Sequence, residues 1–251
     1  MIRGLYTAAT GMIVQERKME NVSQNLANVD TVSFKKQEVL ARAYNNVTIS
    51  NRASSPNNQR APIGQMQLGV IVDDIHTDFE QGVLDKTGKA LDLAIDGQGF
   101  FTILLPNGQE AYSRDGSFAV SRDGLLTTKN GYPVLDRQLQ PIYVGREDVA
   151  IDERGRIRLM DGTSVQLNIV DFPDLQTLNK LGENMYRVEA GQPIEAEDFV
   201  LRQGFLEQSN INPLDELVKM IEISRSFESN QRVIQSLDDT LGKAANEVGR
   251  L

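Results

Sequence analysis

The 251-residue chain contains no cysteine, a single histidine and a shortage of positive charge. Each of these absences removes a class of function. Without cysteine there are no disulfides, thiolate metal sites or cysteine nucleophiles. With His76 alone there is no two-histidine metal site, and a Ser-His-Asp triad would have to rest on that one residue. No serine sits in the G-x-S-x-G turn that such hydrolases use. A net charge of -9 argues against nucleic acid or an anionic membrane as the main partner, because both reward a basic surface. No apolar run approaches the roughly 18 residues of a membrane span, and the N-terminus lacks the charged-then-apolar pattern of a cleaved signal. The sequence therefore predicts a chain that does not insert into a membrane and, if exported, takes another route.

The charge is unevenly placed. Residues 1–60 carry eight Lys/Arg against four Asp/Glu, which leaves the remainder acidic. Such an asymmetry suits contacts between neighbouring copies in which opposite charges meet.

Hydropathy patterning divides the chain into helix, linker, β-rich middle and helix. Leu5, Met12, Met19 and Leu26 recur every seven residues, with Ile2 and Ala9 on the same face, predicting a helix with a narrow apolar seam over about residues 1–30. Residues 31–67 read as an extended connecting region. Within it, 45–65 are polar, without an acidic residue, and broken by Pro56, Pro62 and Gly64. Residues 68–207 read as a β-rich domain. The dipeptides Asn107-Gly108, Asp115-Gly116, Asp123-Gly124, Asn130-Gly131 and Asp161-Gly162 separate runs of branched and aromatic residues, the pattern of successive hairpins.

Residues 208–251 hold the second helix. Asn212 suits the N-cap, Pro213 the first helical position, and Asp215 and Glu216 the positive end of the helix dipole. From there the seam positions read Met220, Ile223, Phe227, Asn230, Ile234, Leu237, Leu241 and Val248, with Asn230 the polar member. One helix over 213–248 would reach about 54 Å at ~1.5 Å per residue, longer than a compact domain of this size needs. The fold class predicted is α+β, with the long terminal helices meeting as a coiled coil beside a β-rich middle domain.

Candidate catalytic groups are weak. Asp96-Gly97-Gln98-Gly99 contains a short G-x-G, but the apolar run that follows reads as a strand, so a tight turn is the better assignment than a dinucleotide loop. Carboxylate pairs such as Asp73-Asp74, or Glu195 with Glu197, fit a solvated face, since nothing in the sequence raises the pKa of one member. No calcium or phosphate-binding loop is present. The chain reads as a non-enzyme with no catalytic residue, cofactor or bound metal.

Four ordered segments resemble motifs of the bacterial flagellar rod and hook proteins. The first is Asn25 to Lys36, NLANVDTVSFKK, in which Asn25, Leu26, Ala27, Asn28 and Phe34 carry the likeness. Leu91 to Phe101, LDLAIDGQGFF, supplies Asp96, Gly97, Gly99 and Phe100, and Tyr112 to Leu135 supplies Arg114, Asp115 and Gly116. Leu201 to Ile234 supplies Ser209, Asn210, Asn212, Arg225 and Glu228. The resemblance implies a subunit of the flagellar basal-body rod, proximal or distal. Such a subunit would be exported through the flagellar type III apparatus without a cleaved signal, and would polymerise with itself and with other rod and hook subunits into a hollow, torque-bearing shaft. It places no nucleic acid among the partners. A non-polymerising axial adaptor and a peptidoglycan hydrolase are the rival readings.

Two positions depart from the family pattern. Ser33 stands in Asp30-Thr31-Val32-Ser33-Phe34 where relatives commonly have glycine, so the local turn is expected to differ. Pro213 replaces a more ordinary residue and is expected to sharpen the helix start.

Overall fold

The computed structural model describes residues 2–51, 61–145, 149–159, 162–189 and 191–248. They form an α+β chain of two compact units. The helical unit takes residues 1–26, 37–76 and 212–251, and the β unit takes 27–36 and 77–211. Among the described residues, no helix is long and apolar enough to cross a membrane.

In the helical unit, α1 (Ile2–Ala27) and α2 (Pro213–Lys243) accompany a ribbon of two paired strands, β1 (Gln37–Asn51) and β2 (Ala61–Thr77). Asn212 stays extended, and its side chain accepts the Leu214 N–H at 3.1 Å, so Pro213 enters the helix with its missing N–H unmissed. α2 passes into a π-helical turn over Ala244–Val248.

The helices run antiparallel, side by side. A Cβ added to Gly4 would lie 3.4 Å from Leu237 Cδ1, and one on Gly11 would lie 3.1 Å from Asn230 Nδ2. Gln15 Nε2 donates to Ser226 Oγ at 3.1 Å. Gly11 leaves room for the Asn230 amide between the helices, whereas a Cβ on Gly4 would make an ordinary contact.

The periodicity located the buried face of α1 only in part. Leu5, Met12, Met19 and Leu26 are half-buried, whereas the buried residues are Ala8, Val14, Asn21, Val22 and Asn25. The reason is a second neighbour. The β1–β2 ribbon covers another side of α1: Thr7 Oγ1 donates to Leu68 O at 3.5 Å, and Val70 N donates to Thr10 Oγ1 at 3.4 Å. On α2, Met220, Ile223, Asn230, Ile234 and Leu237 are half-buried, and Phe227 and Leu241 are exposed. The Val248 side chain lies outside the described residues.

The expected connecting region also takes a different form. Much of 31–67 is strand, and position 68 falls inside β2 rather than opening the β domain. Residues 27–36 belong to the β unit. Pro56 lies outside the described residues, while Pro62 and Gly64 lie within β2. The ribbon does alternate, with Met66, Leu68, Val70 and Val72 half-buried and Gln65 and Gln67 exposed, but the polar, Pro- and Gly-punctuated stretch 45–65 read as a loop.

The β unit opens with β3 (Leu84–Lys86), β4 (Leu93–Gly97), β5 (Phe100–Leu104), β6 (Glu110–Ser113), β7 (Phe118–Val120) and β8 (Leu126–Thr128). β5 and β6 lie at the centre of a six-stranded sheet with Leu178–Gly182 and Met185–Val188 on one side, and Ile169–Asp171 and Ile194–Glu195 on the other. Strand alternation sends Phe100 and Phe101 to opposite faces. Phe101 packs edge-on against Phe118 at 5.0 Å in a core with Leu93, Ile95, Leu126 and Ile157. Phe100 joins an aromatic cluster with Tyr186, Phe172 and Phe79, its ring 5.7 to 6.1 Å from theirs.

Asn107-Gly108 joins β5 to β6, and Asp123-Gly124 joins β7 to β8, as hairpin turns. The chain also reverses at Asn130-Gly131, where Thr128 N donates to Tyr132 O, and at Gly162, where Leu159 N donates to Thr163 O. Asp161 lies outside the described residues. Asp115-Gly116 is no hairpin. β6 pairs with β5 and with Met185–Val188, while β7 pairs with β8, so the dipeptide is a corner between sheets. A Cβ on Gly116 would lie 1.8 Å from Leu93 O, which explains the glycine.

Candidate assembly site

The family-like residues Arg114, Asn210 and Asn25 sit in two buried polar junctions, one in each unit. In the β unit, Lys35 Nζ donates to Glu207 Oε1 at 2.6 Å and to Glu80 O at 2.7 Å. Gly82 N donates to the same Glu207 oxygen at 2.9 Å, and Arg114 Nη1 lies 3.6 Å from Glu207 Oε2. Lys35 and Glu207 are each 1% exposed. Two buried cations sharing one carboxylate are tolerable only because their other donors are used. Arg114 Nε donates to Gly99 O at 3.0 Å, its Nη2 donates to Gly97 O, and the guanidinium lies 5.4 Å from the Phe100 ring centre. Burial holds Lys35 below the ordinary lysine range, outweighing the attraction of Glu207.

Ser33 and Asn210 complete this junction. Ser33 N donates to Glu207 O and Ser33 Oγ donates to Arg114 O, both at 2.8 Å. Its φ is +54°, so the turn keeps the left-handed conformation expected of glycine, contrary to the expectation that serine would change it. Two buried hydrogen bonds offset a strain of about 1 kcal/mol. Asn210 Oδ1 accepts the Lys36 N–H at 2.8 Å, and its Nδ2 donates to Asp78 O at 3.0 Å and Glu80 O at 3.1 Å. Phe34 is buried, with Lys180 Nζ 3.8 Å from its ring centre.

In the helical unit, Asn25 does the equivalent work. Its Nδ2 donates to Gln37 O at 2.8 Å and to Glu216 Oε2 at 3.1 Å, while its Oδ1 accepts Gln37 N–H at 3.1 Å. One amide thus ties α1 to the start of β1 and to the first turn of α2. Glu216 is 1% exposed, lies 3.5 Å from Lys219 Nζ, and sits at the positive end of the helix dipole.

The remaining family-like positions are scattered. Gly97 and Gly99 take φ of +115° and +131° around the β4–β5 turn, and Asp96 pairs with Arg202 at 2.8 Å at the surface. Asp115 Oδ1 accepts from Ser117 N and Oγ in the corner. Leu26, Asn28 and Ser209 are half-buried, Ala27 is exposed, and Arg225 and Glu228 stand in solvent on α2. Lys35, Glu207 and Glu216 were not singled out as site residues from the sequence. A signal existed for Glu207, an acid in the strand run Phe205–Glu207, but only the fold places it beside Lys35.

Beyond these junctions, both helices present apolar side chains that nothing within the unit covers. Leu214, Leu217, Val218 and Ile221 are 43 to 71% exposed and recur at i, i+3, i+4 and i+7, so they share one face of α2. Tyr6 and Ile13 stand similarly on α1. A groove of about 630 Å³ lies between the helices, with Met19, Ile223 and Phe227 along it and Glu16, Glu20, Ser23 and Gln24 at its edge. Four uncovered apolar residues on one helix face mark an interaction surface, whereas single ones would not.

Comparison with known proteins follows the same segments. Residues 5–35 match the family described as "Flagella basal body rod protein", residues 94–177 match "Flagellar hook protein FlgE/F/G D1 domain", and residues 202–247 match "Flagellar basal body rod FlgEFG protein C-terminal". Ser33 and Lys35, Arg114, and Glu207 come from the first, second and third of these, so the buried ionic junction joins all three. The chain is 35% identical to the flagellar basal-body rod protein FlgG of Borreliella burgdorferi, covering 98% of each. It is 33% identical to FlgG of Bacillus subtilis over 98% of this chain and 99% of that protein. It is 32% identical to the flagellar basal-body rod protein FlgF of Caulobacter vibrioides over the whole of both.

Proposed function

The chain belongs to the family of flagellar basal-body rod proteins and is a structural subunit of the basal body; from that premise we propose how it does this work. Its copies polymerise helically, together with other flagellar axial proteins, into a hollow shaft that transmits torque and encloses an export channel. The terminal helices of many copies pack as a coiled-coil wall, with the seam from Leu5 to Leu26 and from Met220 to Val248 divided between contacts within and between subunits. The subunit reaches the periplasmic part of the envelope through the flagellar type III apparatus, without a cleaved signal. It catalyses no reaction.

One observation carries this reading: the terminal helices hold each other through one face and leave another apolar face in water. A protein that worked alone would have no use for the second face. The polymerising subunit is favoured over an adaptor or hydrolase because relatives matching along nearly the whole chain are named as rod proteins.

The decisive experiment is electron microscopy of basal bodies isolated from the source bacterium. This chain is expected as a repeating part of the shaft, and a shaft from which it is absent would overturn the proposal. Purified protein incubated with cell-wall sacculi is expected to release no soluble fragments.

A further inference from the structure

Resting on that rod reading, we propose that the exposed stripe Leu214, Leu217, Val218 and Ile221 of one copy docks in the α1–α2 groove over Met19, Ile223 and Phe227 of the next. The contact is head-to-tail, between two different surfaces of the same chain.

The two surfaces cannot meet within one molecule. Stepping about 100° per residue around α2 sets the stripe roughly 150° away from Ile223 and Phe227. The stripe points outward while those two residues face α1 and the groove. A contact between unlike patches repeats without closing on itself unless its rotation happens to complete a ring, and so it generates an open helical array. A two-fold contact between like patches would stop at a dimer.

Shape and charge agree on the occupant. The stripe spans two turns, about 10.5 Å along the axis, and the groove runs past Met19, Ile223 and Phe227 over a comparable length. Its floor is apolar and its edge polar, which suits a helix ridge with charged flanks. Arg225 continues the stripe one turn beyond Ile221, is exposed, and makes no ion pair among the described residues. Glu16 stands at the groove edge one turn before Met19 and Glu20, exposed and likewise without an ion pair. Bringing Arg225 to Glu16 fixes the direction of docking. The incoming α2 then runs antiparallel to the recipient's α1 and parallel to its α2, as equivalent helices must in a polar shaft.

Because the chain has no cysteine, introduced thiols are the only ones it carries. The experiment places Ile221→Cys and Glu20→Cys, which the Arg225–Glu16 register sets opposite each other, singly and together in cells of the source bacterium, oxidises isolated basal bodies, and reads the subunit on non-reducing gels. The double variant is expected to shift most of the subunit from monomer into a ladder of dimer, trimer and higher bands, while each single variant stays monomeric. Intact rods that contain the chain but give no ladder would overturn the docking and leave the rod reading standing. A dimer from Ile221→Cys alone would overturn it in favour of a two-fold contact. Should the first pair fail to assemble, Val218→Cys with Ser23→Cys, in the same register, applies the same criterion. Wild-type shafts without this chain would sink the rod reading, and the docking with it.

Discussion

Lys35 and Glu207 stand 172 positions apart in the sequence, yet their Nζ and Oε1 atoms lie 2.6 Å apart with both side chains buried. This pair fastens the segment that follows α1 to the strand that precedes α2.

Removing one partner leaves a buried charge. Glu207→Ala strands Lys35 and Arg114 and deprives Gly82 N of its acceptor. The β unit is expected to lose about 3–5 kcal/mol, read as a lower midpoint in denaturant unfolding. An unchanged midpoint would show the junction to be dispensable.

Ser33 separates backbone strain from hydrogen bonding. Ser33→Ala loses the bond to Arg114 O and keeps the positive φ, whereas Ser33→Gly loses the same bond and relieves the strain. Alanine should therefore be the more damaging by about 1 kcal/mol. Equal effects in thermal unfolding would mean that the φ carries no cost.

Asn25→Asp replaces an N–H donor with a second carboxylate beside Glu216. Like charges in a buried site, and a lost donor to Gln37 O, should destabilise the helical unit by about 3 kcal/mol or more. Circular dichroism at 222 nm is expected to show the helices melting earlier, while near-ultraviolet signals from the β-unit aromatics hold.

Phe227→Asp and Ile234→Asp should abolish rod assembly while leaving the β unit folded. Phe227 is exposed and Ile234 half-buried, so neither charge enters a closed core. Swimming in soft agar and near-ultraviolet dichroism check the two halves of this expectation. Motile cells with normal rods would disprove the role given to this face.

Burial raises the phenol pKa of Tyr186, and burial with the neighbouring Glu110 raises that of Tyr112. The fold therefore binds these protons more tightly than the unfolded chain, whose tyrosines titrate near ~10. That contribution is complete below the unfolded value and is lost as pH rises above it. In an alkaline absorbance titration, the phenolate signal of these two residues, isolated by comparison with a Tyr112→Phe/Tyr186→Phe variant, should emerge only as the β unit unfolds.

Much of this was legible along the chain because it is governed by near neighbours. Helix starts depend on residues three or four apart, so Asn212, Pro213 and Asp215 announced α2. Hairpin turns depend on adjacent residues, and Asn107-Gly108 and Asp123-Gly124 were read correctly. Asp115-Gly116 was misread because its local chemistry is that of a turn, while strand pairing decided whether the chain folded back or turned a corner. The β1–β2 ribbon was missed because the polar stretch with Pro56, Pro62 and Gly64 reads as a loop, and the alternation of Leu68, Val70 and Val72 was credited to the β domain.

The sequence by itself determined the two terminal helices, the β-rich middle, the α+β class and the flagellar rod likeness, since these rest on local periodicity and contiguous motifs. Only the tertiary structure decided which faces are covered. It divided α1 between a helix and a ribbon, brought Lys35 to Glu207 and Asn25 to Glu216, and left Leu214, Leu217, Val218 and Ile221 in solvent. The physical reason is that burial belongs to the packing of distant elements: a seven-residue repeat says that a helix has an apolar face, but the neighbours that fold against it determine which faces remain for other molecules.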